Sequence, residues 1–208
     1  MEAESIPAGP RLTLAEYLAA ERTATHKSDF YNGEVFAMAG GSSPHSRIAS
    51  NLTIAIGRRL DGRSYSTHTS DMLIQVRATE FCAYPDVSVV CGEEELAEDK
   101  HDCLLNPGLI AEVLSPSTQE YDREKFFHYQ QLPSLRHYLL IHQDRAWIEH
   151  FARVEGSKDW SYKHVGHPQN SAEGLVDTLH LPSLEMEIPL GEIYRRVVLM
   201  PFLPSAKP

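Results

Sequence analysis

The sequence predicts a single α/β domain with helices and strands mixed along the chain, and three features carry that reading. Ile48, Leu52, Ile56 and Leu60 recur at steps of four, the mark of an amphipathic helix. Leu109-Ile110-Ala111-Glu112-Val113-Leu114 is a short, almost wholly apolar run, as expected of a central strand covered on both faces. Three more strand-like stretches, 138 to 141, 146 to 151 and 160 to 165, follow it. With 208 residues, 42% of them hydrophobic and 23% charged, the chain can bury about 70% of its unfolded surface in one domain covering 1 to 208.

Thr13 and Glu16 have capping-box spacing, and Leu14, Tyr17 and Leu18 share a helical face, which predicts a helix over 14 to 22. Asn32-Gly33 suits the positive φ angles of a type I′ turn, and Phe30, Tyr31, Val35 and Phe36 flank it, which predicts a hairpin. Gly40-Gly41-Ser42-Ser43-Pro44 gives a loop, a serine N-cap and a proline at the first helical position, opening a helix over 44 to 60. Alternation in 72 to 76 and the run 85 to 90 read as consecutive strands. The acidic stretch 91 to 102 reads as a solvated connection. Ser117 and Glu120 repeat the capping-box spacing, so a helix is expected to run to about Gln131, before Pro133. A Gln143-Asp144 turn links two of the later strands, and a short helix is expected near Leu190 to Arg196.

Composition excludes several classes. Nineteen Lys and Arg against twenty-nine Asp and Glu give a net charge of −10, so no global basic field draws in a polyanion, and any nucleic-acid contact must be local. Cys82, Cys91 and Cys103 contain no CxxC pair, unlike a disulfide scaffold or a zinc ribbon, and read as reduced thiols. No apolar run reaches the roughly 18 residues of a membrane span, and the N-terminus has neither the basic nor the apolar region of a signal peptide. A cytoplasmic protein is expected. No GxSxG supports a serine hydrolase. His164 and His167 have HxxH spacing without a nearby cysteine or acid cluster, weak support for zinc.

The residues that can carry chemistry are two carboxylates on successive strands. Asp86 opens one strand and Glu112 lies inside the next, where an isolated charge is costly and is retained mostly beside a cation, a metal or several donors. Neighbouring strands would bring these oxygens together, and oxygen-only ligands suit Mg²⁺ or Mn²⁺ better than Zn²⁺. Asp122, Lys125, Phe126 and Tyr129 share one face of the following helix, from which Lys125 can reach the carboxylates. The plainer alternative is a structural ion pair of Glu112 with Arg123 or Lys125.

Gly33-Glu34, Gly40-Gly41-Ser42, Pro85-Asp86 and Glu112-Val113-Leu114-Ser115-Pro116-Ser117-Thr118, followed by Asp122, Lys125 and Tyr129, resemble the bacterial restriction endonuclease-like domain family of the PD-(D/E)XK nuclease superfamily. The resemblance runs from about Leu12 to Tyr194, leaving 197 to 208 as an apolar tail that packs on the body or on a second subunit. It implies a restriction-endonuclease-like core, a central mixed β-sheet flanked by helices with additional antiparallel strands. It also implies Asp86 and Glu112 as ligands of Mg²⁺ or Mn²⁺, Glu34 as a further metal or water ligand, Lys125 as the catalytic lysine, and a histidine at the position of His45. The superfamily lysine belongs two residues after the second acid, where this chain has Leu114. Either the lysine has moved to Lys125, as in this family's own pattern, or the site is dead. The activity implied is metal-dependent hydrolysis of phosphodiester bonds in nucleic acid, DNA above RNA, by a protein that could pair as a homodimer. The competing class is a non-catalytic binding module that has kept the fold.

Overall fold

A computed structural model describes residues 11–38, 40–97, 102–116 and 118–199. The elements, in chain order, are α1 (Leu14–Glu21), β1 (Ser28–Tyr31), β2 (Glu34–Ala37), α2 (Ser43–Leu60), β3 (Tyr65–Thr69), β4 (Leu73–Val76), β5 (Phe81–Ala83), β6 (Val87–Cys91), β7 (Cys103–Leu104), β8 (Leu109–Leu114), α3 (Gln119–Tyr129), β9 (His137–His142), β10 (Trp147–Arg153), β11 (Trp160–Gly166), α4 (Ser171–Gly174), β12 (Thr178–Leu181), β13 (Met186–Pro189) and α5 (Leu190–Ile193).

A six-stranded mixed sheet in the order β11-β10-β9-β8-β6-β3 forms the centre. β8 pairs parallel with β9 and antiparallel with β6, so the apolar run 109–114 is an interior strand with all six residues buried. Because side chains alternate, one face of β8 carries Leu109, Ala111 and Val113 and the other Ile110, Glu112 and Leu114. The first set joins a core with Ile48, Leu52 and Ile56 of α2 and with Leu179, Leu181 and Ile188 of the β12–β13 hairpin. The second packs against Tyr129 of α3 and against Ile74, Val76 and Phe81 of a second, five-stranded sheet, β2-β1-β5-β4-β7. Tyr17 of α1, stacked on Phe30 at 4.7 Å, closes the outer side of that sheet.

Local signals explain most boundaries. Thr13 and Glu16 form the complete capping box at α1. Asn32 and Gly33 both adopt positive φ, 50° and 85°, as a type I′ turn requires. A Cβ at Gly33 would also sit 2.8 Å from Arg11 Cβ. The cap of α2 is Ser42, which accepts from His45 N–H, so Ser43 is the first helical residue and Pro44 the second, one position later than the sequence suggests. Ser117 and most of the apolar tail, 200 to 208, lie outside the described residues, as do 98 to 101 of the acidic loop. Thr118 occupies the cap position of α3 without a side-chain cap bond. Its hydroxyl donates instead to Asp122 Oδ2 at 2.8 Å.

Candidate active site

The junction of β6, β8, α3 and the β1–β2 hairpin gathers an unusual number of buried charges. β5 ends at Ala83, and Pro85 and Asp86 lie in the connection just before β6. Asp86 Oδ2 accepts from Val113 N–H at 2.7 Å, while Asp86 N–H donates to Glu112 Oε2 at 3.4 Å. Glu112, 3% exposed, projects from the centre of β8. The i, i+3 and i+7 positions of α3 then place Asp122, Lys125 and Tyr129 over it.

Lys125 is the hub. Its Nζ lies 3.2 Å from Asp29 Oδ2, 3.3 Å from Glu112 Oε1 and 3.3 Å from Asp122 Oδ1, and 5.0 Å above the Tyr121 ring. Lys125 is itself 5% exposed. Tyr129 OH reaches Glu112 Oε1 at a long 3.5 Å. The sequence alternatives for the acid on β8 thus resolve toward Lys125, while Arg123 turns away to Glu149.

Three carboxylates share this one ammonium, with Asp86 close by Glu112. Burial pushes the Glu112 carboxyl well above its ordinary range; Lys125 opposes the rise, and Asp122, Asp86 and Asp29 add to it. Asp122 is raised for the same first reason, against the pull of Lys125. Burial by itself would lower Lys125, but Asp29, Glu112 and Asp122 outweigh it and hold the ammonium charged well above the usual lysine value. On the α2 side, His45 Nε2 lies 3.2 Å from Asp86 Oδ2, and this contact raises the imidazole despite its burial. Gly41 makes room for that ring, since a Cβ there would lie 2.7 Å from His45 Nδ1.

Of the residues singled out from sequence, the structure brings Asp86, Glu112 and Lys125 together. It does not bring Glu34 to them. Glu34 faces the same side of the hairpin as Asp29, but at the turn end, where its side chain is 55% exposed and pairs with Arg11 at 3.6 Å. The hairpin acid that reaches Lys125 is Asp29, which also accepts from Tyr121 OH and Tyr84 N–H, each at 3.1 Å. Sequence reasoning missed it because Asp29 carries no motif; the usable signal was an acid three positions before the Asn32-Gly33 turn, on the face shared with Tyr31. His164 stacks on Trp147 at 4.4 Å and His167 lies 3.9 Å from Glu173, so the HxxH spacing joins no cluster of ligands.

The donor chemistry fits a hard divalent cation. The clustered acids offer only carboxylate oxygens, they outnumber the nearby positive charge, and burial holds the Glu112 carboxyl well above its ordinary range, which a cation would relieve. Among the described residues no three acidic, histidine or cysteine side chains close on a point as a ready-made cage. Mg²⁺ does not demand one, because it keeps several waters and commonly takes one or two protein carboxylates together with substrate phosphate. Asp86 and Glu112 are the residues that would hold it.

A mixed sheet flanked by helices, with acids on adjacent strands and a lysine from the helix after them, is a nuclease fold. Consistent with this, the structure superposes with a TM-score of 0.69 on the crystal structure of a "putative nuclease belonging to DUF820" from Anabaena variabilis ATCC 29413, covering 88% of this chain and 97% of that one at 15% identity. A family model described as "Uma2: Putative restriction endonuclease" matches residues 14–189, and the chain belongs to that family. Two relatives from Synechocystis sp. (strain ATCC 27184 / PCC 6803 / Kazusa) are "Uncharacterized protein sll1609", 39% identical over 72% of this chain and 84% of its own length, and "Uncharacterized protein slr1290", 34% identical over 89% and 93%. Among the described residues no helix is long and apolar enough to cross a membrane.

Proposed function

We propose that the protein is a Mg²⁺- or Mn²⁺-dependent endonuclease that hydrolyses phosphodiester bonds in nucleic acid, with DNA the favoured substrate. The observation that carries the reading is the 3.3 Å approach of Lys125 Nζ to Glu112 Oε1 beside Asp86, because it supplies a catalytic cation although position 114 is leucine. Asp86 and Glu112 would hold the metal, which when bound would supply water activation and screening of phosphate charge. Asp29 and Asp122 keep the Lys125 ammonium charged and pointed at Glu112, where it orients water or steadies negative charge on the phosphate oxygens. His45 fixes one oxygen of Asp86 while Val113 N–H fixes its orientation. Glu34 is placed to act only at the hairpin end of the site, so its removal affects catalysis less than removal of Asp29.

Calorimetric titration of Mn²⁺ into wild type and Glu112→Gln, with cleavage of single-stranded and duplex DNA and of RNA measured in Mg²⁺ and in EDTA, tests the reading. Stoichiometric metal binding lost in the variant, and cleavage that needs metal, are expected. A second reading, a binding module without catalysis, draws on Leu114 and on the net charge of −10. It forecasts nucleic-acid or protein binding with no metal-dependent cleavage.

A further inference from the structure

The row of side chains that contains Glu112 does not end at β8. Glu112 is the parallel partner of Leu140, Leu140 the antiparallel partner of Glu149, and Glu149 that of His164, so these four lie in line across β8, β9, β10 and β11 on one face. At about 4.8 Å per strand, His164 is about 14 Å from Glu112, a few nucleotides along a strand. α3 covers the side of the neighbouring row, Tyr138, Phe151 and Tyr162, where Phe126 packs on Tyr138 and Phe151 and on Trp160 of the row after it. Beyond the N-terminal turn of α3 the face of β10 and β11 is open: Tyr162 is 49% exposed, and Trp147 stacks on His164 at 4.4 Å.

This surface is held in place. Glu149 is buried, and its carboxylate takes the Arg123 guanidinium, His142 Nε2 at 3.0 Å and Tyr162 OH at 2.9 Å. The tyrosine ring is therefore anchored at its hydroxyl while one side stays in water. Arg123 immediately follows Asp122, and His142 is the strand partner of Leu114, two positions past Glu112. An exposed, pre-oriented aromatic surface with a guanidinium at its edge suits a chain of alternating phosphates and flat bases. Duplex nucleic acid hides its base faces in the stack, and only an unpaired strand can present them.

We propose that this ledge, Tyr162, His164 and Trp147 with Arg123 at its edge, binds an unpaired stretch of the nucleic-acid strand whose neighbouring phosphodiester lies at the carboxylate cluster. The assignment rests on the endonuclease reading and names the strand state of its substrate. Glu149 is a positioning residue that acts through Tyr162 and Arg123.

Binding is measured apart from cleavage, by fluorescence anisotropy of a labelled oligothymidylate and of the same strand annealed to its complement, in EDTA at low ionic strength. Wild type is expected to prefer the single strand, and Tyr162→Ala to weaken that binding about tenfold, as loss of one stacked base does. Arg123→Gln is expected to weaken it and flatten its salt dependence. Tyr162→Leu, which keeps apolar cover on the sheet, guards against misfolding and is expected to behave like the alanine variant. Equal affinity for single strand and duplex, or a Tyr162→Leu variant that binds like wild type with an unchanged melting temperature, overturns the ledge. Mn²⁺ binding to the Glu112 site with no oligonucleotide binding also overturns it, while leaving the metal site intact. Single-strand binding lost in Tyr162→Leu, with no metal binding, sustains the ledge and removes the endonuclease reading.

Discussion

Glu112 and Glu149 lie in one row of the same sheet, two strands apart, both buried, yet they are held at opposite ends of the carboxyl scale. Glu112 is pushed well above its ordinary value, first by burial. Glu149 also suffers burial, but bonds from His142, Tyr162 and Arg123 overcome it and pull the carboxyl down to about 2. The difference lies in the company each keeps. The donors to Glu112 stand at 3.3 to 3.5 Å, and Lys125 is divided among three acids. Glu149 has three donors and no competing acid beside it in those contacts. A buried acid left under-compensated among other acids is one that the proposed divalent cation would relieve, and a fully bonded one organises its neighbours.

The largest test of that contrast is Glu112→Gln. Cleavage is expected to fall by at least ~10²-fold to 10³-fold, the scale of losing one major electrostatic element of a site. The same change is expected to raise the thermal stability of metal-free protein at pH 7. The folded carboxyl titrates above the unfolded one, so native Glu112 loses stability as pH rises from about 4.5, by ~1.4 kcal/mol for each unit of separation. Glutamine removes that loss. A lower melting temperature than wild type in EDTA would break the comparison.

Lys125→Met comes next, because it leaves the cluster of acids without its shared cation. Breaking such a buried pair costs about 3–5 kcal/mol, read from denaturant unfolding. Arg123→Met, at a half-exposed guanidinium, is expected to cost only ~1 kcal/mol. Equal costs would show that the two carboxylates are not differently compensated.

Glu149→Gln separates the two by pH. The folded carboxyl titrates near 2, below its unfolded value, so its stabilisation is present above about 4.5 and disappears as pH falls toward 2. The variant should be less stable than wild type at pH 7 by about 2 kcal/mol, the scale of a hydrogen-bonded buried charge, and nearly equal to it near pH 2. Wild type also loses stability below about pH 6.5 because burial holds His137 near 3 and His150 near 4. Both proteins share that pair, so the difference between them isolates Glu149. The smallest contrast is between two hydroxyls: Tyr162→Phe removes a 2.9 Å bond and should cost ~1 kcal/mol, whereas Tyr129→Phe removes one of 3.5 Å and should cost less.

Helices α1 and α2, the β1–β2 hairpin and strand β8 were legible because each carries its own local signal: a capping box, a four-residue apolar period, Asn-Gly, and an apolar run too short for a buried helix. β3, β5 and β7 were not. Tyr65-Ser66-Thr67-His68-Thr69 has no apolar alternation, and the other two are three and two residues long, so their strand state comes from pairing with β6 and β4. In the site, Glu112 was visible because a charge in an apolar run needs a reason, and Lys125 because helical spacing carries it over that strand.

By itself the sequence determined the elements with local periodicity, the solitary acid in β8, the acid at the head of β6 and the helical face that bears Lys125. Only the tertiary structure decided that Asp29 and not Glu34 meets Lys125, that Arg123 belongs to Glu149, and that Glu112 and His164 stand in one line across four strands. The physical reason is that a carboxylate's role depends on distances of 3 to 4 Å and on the number of donors sharing them. Those are set by register and packing between segments far apart in the chain.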